Sequence, residues 1–259
     1  MQNLCLLREF DHPLHALVVG ASSGIGLALA QQLAAHPQVA RLFAVARTAT
    51  RNPVLTEMAA ADSRIMLLDC DICDEAALAA MAGAIRQTTP LLHLVINTAG
   101  MLHQGGLQPE KSLTQITRAS LEASFTINAF APILLAKALL SLLRHAEPAV
   151  FASLSARVGS ISDNRIGGWY SYRAAKAAQN QLLKTLAIEL HRLNRQAIVL
   201  ALHPGTTDTG LSKPFQGNVS ADKLFSPAFA AASLLSVIAE RVPADSGGFY
   251  AWDGQPIGW

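Results

Sequence analysis

Cysteine is scarce in this chain: Cys5, Cys70 and Cys73 are the only three in 259 residues. Three thiols make no disulfide framework, so a reducing cytoplasm is the expected setting. Charge is also sparse, at 15% of residues with a formal net charge of +2. The basic residues are scattered, without the Lys/Arg cluster that a phosphate backbone requires, so neither nucleic acid nor an anionic membrane is an expected partner. A long hydrophobic run is missing as well. The longest apolar stretch, around residues 130–143, contains Pro132 and Lys137 and is expected to be too short to cross a bilayer. The opening residues lack a basic leader and a full apolar core, which predicts no signal peptide. No metal-ligand set is legible: His12 and His15 precede the first strand with no partners in sequence.

Half of the residues are hydrophobic, enough for a sizeable core in a single domain over residues 1–259. Short β-rich runs alternate with Ala/Leu-rich helical runs. Strands are expected at His15–Val19, Leu42–Ala46, Ile65–Asp69, Leu92–Asn97, Ala149–Leu154, Ala197–Leu202 and Gly248–Ala251, and helices at Gly24–His36, Pro53–Ala60, Asp74–Thr88, Leu121–Arg144, Ser171–Leu193 and Pro227–Glu240. Ala16-Leu-Val-Val and Leu94-Val-Ile are continuous apolar runs, as in parallel strands covered on both faces. The alternation predicts an α/β protein of Rossmann type, a doubly wound parallel seven-stranded sheet. The irregular stretches 101–113, 157–169 and 206–225 follow strand ends, where ligands of such sheets bind.

After the first strand comes Gly20-Ala-Ser22-Ser23-Gly24-Ile25-Gly26 and then a helix. Gly20 permits the tight turn, Gly24 lets a phosphate approach the backbone, and Gly26 lets helix and sheet pack closely. The helix start offers free N–H groups to a pyrophosphate. The second strand ends Ala46-Arg47, with no carboxylate for a ribose 2′-hydroxyl and an Arg suited to a 2′-phosphate, so NADP(H) is expected over NAD(H). Asp71 is placed to accept from an adenine amino group or to cap the next helix. Asn97-Thr-Ala99-Gly100 puts small residues where backbone must run beside the cofactor.

Tyr172 and Lys176 stand four apart on one helix face. A neighbouring ammonium is expected to pull a phenol of pKa about 10 towards neutrality, making a proton donor and acceptor for a carbonyl/alcohol pair. Tyr170, whose fourth-following residue is Ala174, is expected in the core or the pocket wall. Cys70-Asp-Ile-Cys73 has redox-dithiol spacing at a strand-to-helix junction, but Asp71 inside it has another use, and coincidence is the better reading. Ile161, Ile166, Trp169, Leu211 and Phe215 in the loops favour an apolar carbonyl substrate, and Phe249–Trp259 is apolar enough to meet a second subunit.

These motifs, with Asn128 and His203-Pro204-Gly205-Thr-Thr207-Asp-Thr209, resemble the short-chain dehydrogenase/reductases over nearly the whole chain. Val158-Gly-Ser-Ile, Gly167-Gly-Trp-Tyr-Ser-Tyr-Arg and Ala251-Trp-Asp-Gly resemble the C-factor/sniffer-like carbonyl reductase branch, which also includes proteins described as cell-contact signals. The resemblance implies a homodimer or homotetramer, Tyr172 as general acid/base, and Lys176 on the tyrosine and the nicotinamide ribose. It implies that Asn128 holds a water between Lys176 and solvent, and that Ile72, Ala99, Pro204, Gly205, Thr207 and Thr209 contact the cofactor. The family also uses a Ser to polarise the substrate oxygen. Counting back from Gly159, that slot falls on Ala156, and Ser155, one place early, is the preferred candidate. A loop near residues 206–226 would cover the substrate.

Overall fold

Strands without a polar face must be covered from both sides, and the computed structural model shows them so. It describes residues 5–103, 105–218, 220 and 223–259. The opening run, residues 1–4, and parts of two expected loops (Gln104, Val219, Ala221 and Asp222) lie outside the described residues.

The chain runs β1 (Leu14–Val19), α1 (Gly24–Ala35), β2 (Val39–Ala46), α2 (Pro53–Ala61), β3 (Ile65–Asp69), α3 (Glu75–Thr88), β4 (Leu94–Asn97), α4 (Arg118–Phe125), α5 (Ala131–Leu143), β5 (Ala149–Leu154), α6 (Tyr170–Leu193), β6 (Ala197–His203), β7 (Thr206–Thr207), β8 (Leu224–Phe225), α7 (Pro227–Glu240) and β9 (Gly248–Ala251). Seven strands form one parallel sheet in the order β3-β2-β1-β4-β5-β6-β9. The order reverses between β1 and β4, which opens a crevice beyond their carboxyl ends. Alternate side chains feed two cores. Ala16 and Val18 join α1 and α7 on one face, while Leu17 and Val19 join α3, α5 and α6 on the other. Phe151 on β5 is fully buried in the second core, where truncation to Ala costs about 3–5 kcal/mol.

Helix starts follow their caps. Asn52 accepts from the Leu55 amide before α2, and Ser226 accepts from the Phe229 amide with Pro227 at the first helical position of α7. Asp74, not Asp71, caps α3, taking the Ala76 and Ala77 amides. The Asp71 carboxylate instead closes a tight turn on the Cys73 amide.

One expectation is corrected. The single helix expected over 121–144 is α4, a π turn (Thr126–Phe130) and α5. Pro132 has no N–H to give the Asn128 carbonyl, so regular α bonding cannot continue through that turn. The combined run, 26 residues, is long and apolar enough to span a bilayer by length and composition only. Half of its apolar window is buried, with Leu135, Leu139 and Leu142 in the core, as suits a core helix. The chain's end folds onto its own sheet: Phe249 is buried, Trp259 stacks on it at 5.7 Å, and Ile257 is buried too. Finally, β7 and β8 pair at the base of the 206–226 loop, a ladder too short to show in sequence.

Candidate active site

The glycine loop is built as a cradle. Gly20 leaves β1 with φ +84°, and a Cβ on Gly26 would lie 2.1 Å from the Gly20 carbonyl oxygen, so helix and turn meet only because Gly26 lacks a side chain. Thr98 Oγ1 donates to the Val19 carbonyl and closes the floor from β4. Ser23, at the N-cap of α1, makes no side-chain cap bond, so the first helical N–H groups face the crevice without a side-chain acceptor. Ser22 is tied by its carbonyl to Asn52, and Ile25 packs against the core. An uncapped helix start behind a glycine cradle fits a pyrophosphate.

Around it stand the other expected cofactor residues. Arg47 is exposed just past β2. The carboxylate that ends the neighbouring strand, Asp69, is already bonded to the Thr50 amide and hydroxyl. Ile72 is buried beneath Asp71. Asn97 is fully buried, donating to Ser153 Oγ and accepting from the Ala99 amide, which fixes the turn through Gly100. Gly205, at φ +73°, lies against the Phe225 ring. Thr207 is buried over the Pro204 carbonyl, and the Thr209 methyl rests on Gly24 across the crevice.

Tyr172 and Lys176 project from the first two turns of α6, with side chains buried at 8% and 3% exposure. The Lys176 ammonium donates to the Leu154 carbonyl and to Gln179 Oε1, both at 2.9 Å, and sits 5.8 Å from the Tyr172 ring centre. Gln179 passes the contact on to Ser153 and so to Asn97. Asn128, in the π turn, grips both the amide and the carbonyl of Met101 and faces Gly100, which lies between it and Lys176. The expected acidification of the phenol is not what this geometry gives. Burial pushes Tyr172 up from its ordinary value, and burial pushes Lys176 down to about 7. Both shifts have the same cause, since a low-dielectric interior disfavours either charged form, and the ammonium's bonds go to Leu154 and Gln179 rather than to the phenol.

Ser155 has a partner of its own. It is buried and donates its hydroxyl proton to Asn180 Oδ1 at 2.7 Å, so that proton is directed into α6 and away from a substrate oxygen. Ala156, the half-buried next residue, has no hydroxyl. The thiols of Cys70 and Cys73 are free, and burial followed by the Asp71 charge pushes each up to about 11, the opposite of a reactive dithiol.

Beside Trp169 lies a cavity of about 610 Å³, walled by Glu110, Lys111, Trp169, Pro214 and Phe215, while Tyr172 lines a separate small pocket with Met101, Glu110 and Ser171. Trp169 meets Phe215 edge-on at 5.2 Å and Tyr172 at 6.3 Å. Of the apolar loop residues singled out in sequence, Trp169 and Phe215 line this space, whereas Ile161, Ile166 and Leu211 are exposed. Tyr170 is 40% exposed and lines neither this cavity nor the small pocket at Tyr172. Gln179, Ser153 and Glu110 are site residues that the sequence reading missed. Gln179, one helical turn past Lys176, was the one with a usable spacing signal.

Among curated proteins, the chain is 32% identical over 250 residues to 1-hydroxy-2-glutathionyl-2-methyl-3-butene dehydrogenase of Rhodococcus sp. (strain AD45), covering 94% of this chain and 98% of that one. It is 29% identical over 178 residues to C-signal of Myxococcus xanthus, covering 69% of this chain and 99% of that protein. Two solved structures, the NADPH-bound carbonyl reductase from chicken fatty liver and the carbonyl reductase Sniffer of D. melanogaster, each match with a TM-score of 0.85 at 26% identity, over 96% of this chain and 100% of theirs. The sequence model of the short chain dehydrogenase family matches residues 14–219. By that match the chain belongs to the short-chain dehydrogenases and is an oxidoreductase, similar to C-signal and to the Sniffer carbonyl reductase.

Proposed function

We propose that this protein is an NADP(H)-dependent carbonyl reductase or alcohol dehydrogenase in which Tyr172 is the general acid/base. The observation that carries the reading is the buried Tyr172–Lys176 pair, one helical turn apart, beside Gly100 and the glycine cradle at the same sheet edge. The loop from Gly20 to Gly26, with Asn97, Gly100, Pro204 and Thr209, would hold the dinucleotide, which supplies hydride to the carbonyl carbon. Tyr172 gives its proton to the carbonyl oxygen. A phenol raised by burial stays protonated until the oxygen turns basic. Lys176, brought down to about 7, then restores that proton, with Asn128 leading it to solvent. Trp169 and Phe215 exclude water and favour an apolar or aromatic carbonyl compound. NADP(H) is favoured because Arg47 is exposed at the end of β2 and Asp69 is occupied by Thr50. The same reading takes the protein as a homodimer or homotetramer acting on a small molecule in the cytoplasm.

A panel of aldehydes, ketones and quinones followed at the nicotinamide absorbance, with NADPH and NADH in parallel, tests this. Tyr172→Phe is expected to lower the reduction rate by about 10²–10⁴ while leaving NADPH binding intact. Equal rates for the mutant, or a preference for NADH, would remove the corresponding part of the proposal. A second reading, a dinucleotide-binding signalling protein with weak turnover, is favoured by one feature, the hydroxyl-free Ala156. Tight NADPH binding with no turnover across the panel would select it.

A further inference from the structure

The helix that carries Tyr172 begins without a cap of its own. Gly167, Gly168 and Trp169 are all left-handed, at φ +70°, +67° and +53°, and the Trp169 side chain makes no cap bond. A left-handed residue bearing a side chain costs about 1–2 kcal/mol, so something nearby must hold this entry in place. Glu110 does so, from a loop 61 residues upstream of Ser171. Its Oε2 accepts the Ser171 amide at 3.1 Å, its Oε1 accepts the Ser171 hydroxyl, and its backbone carbonyl accepts the Trp169 amide.

Glu110 is 3% exposed. Burial works to raise its carboxyl, but the bonds from Ser171, from its own backbone and from Ser120 together outweigh that and hold it below its ordinary value. It therefore stands as an anion at a helix N-terminus, where the dipole favours one. The bonding continues inward. The Ser171 carbonyl accepts from Ser124, and Ser124 accepts from Asn128. Glu110 also walls both the 610 Å³ cavity and the small pocket at Tyr172.

We propose that Glu110 is the positioning residue of the reaction centre: it caps α6 from across the fold and so fixes the Tyr172 phenol in the small pocket that the two residues both line. This rests on Tyr172 being the acid, so one measurement is independent of turnover. In Glu110→Ala, hydrogen exchange at the Ser171 amide, which the carboxylate accepts, is expected to speed up, while exchange in the middle of α6 is unchanged. Unaltered exchange at that amide overturns the cap.

The kinetic arm uses the best carbonyl substrate of the panel with NADPH. Glu110→Ala is expected to lose about 10² in kcat through misplacement of the phenol, with the NADPH Kd unmoved. Glu110→Gln, which keeps an acceptor oxygen, is expected to recover most of that loss. A folded Glu110→Ala with wild-type kcat, or a loss shared equally by NADPH affinity, overturns the proposal. Should the Ala variant fail to fold, Glu110→Asp decides, because its shorter arm falls short of Ser171 and wild-type kcat there overturns the proposal equally. Tyr172→Phe, run alongside, separates the two readings: a rate indifferent to it strikes the catalytic assignment and leaves the exchange result standing.

Discussion

Where a hydroxyl sends its proton decides what it can do for a substrate. Ser155 and Ala156 are adjacent in sequence, yet only Ala156 stands where the family resemblance puts the polarising group, and Ser155 is spent on Asn180. Ser155→Ala is therefore expected to change kcat/KM little. It leaves Asn180 Oδ1 without its partner and lowers stability by about 1–3 kcal/mol, readable in a urea melt. Ala156→Ser is the complementary change. Placing a donor at the substrate oxygen is expected to raise kcat/KM on a ketone by about tenfold or more, towards the 10²–10³ that one such donor supplies elsewhere. An unchanged or reduced rate in a folded Ala156→Ser variant would mean that residue 156 does not face the reacting oxygen.

Elements place these residues, and the sequence signals them unevenly. Ala16-Leu-Val-Val announces a strand buried on both faces, and Ser226-Pro227 announces a helix start, because both signals are local. The π turn around Asn128 was missed because its apolar residues sit in one unbroken helical pattern, and only Pro132 hinted that bonding would change. Glu110 was missed for a different reason: its meaning depends on Ser171, 61 residues away, and no periodicity connects them. Gly26 was read correctly as a packing glycine. Because its missing Cβ would meet the Gly20 carbonyl at 2.1 Å, Gly26→Ala is expected to displace the turn, cost about 1–3 kcal/mol by overpacking, and weaken NADPH binding in a fluorescence titration far more than it alters the melting temperature.

At the scale of the whole molecule, the two ends of the sheet have different chemistry. The carboxyl end holds the glycine cradle and Tyr172. The amino end holds a cluster of His15, His93 and His145, with ring centres 5.7 and 5.8 Å from His93. His93 Nδ1 accepts the His15 amide while Nε2 faces Glu147, so the ring is neutral with its proton on Nε2. Burial holds both His15 and His93 below their ordinary value of 6.5, although Glu147 pulls the other way. A depressed histidine favours the neutral folded form, so its stabilisation is full above about pH 6.5 and is lost as pH falls through the folded value. Melting temperature is therefore expected to drop between about pH 7 and pH 5. His93→Gln is expected to melt lower at neutral pH but to show a flatter profile over that range.

This acid-sensitive knot sits a full strand length from the reacting phenol. A falling rate of carbonyl reduction in mildly acidic buffer would thus report collapse of the far rim, because acid only loads the Lys176 amine, pushed down to about 7, with the proton it has to give. Only rates taken faster than unfolding would isolate the chemistry.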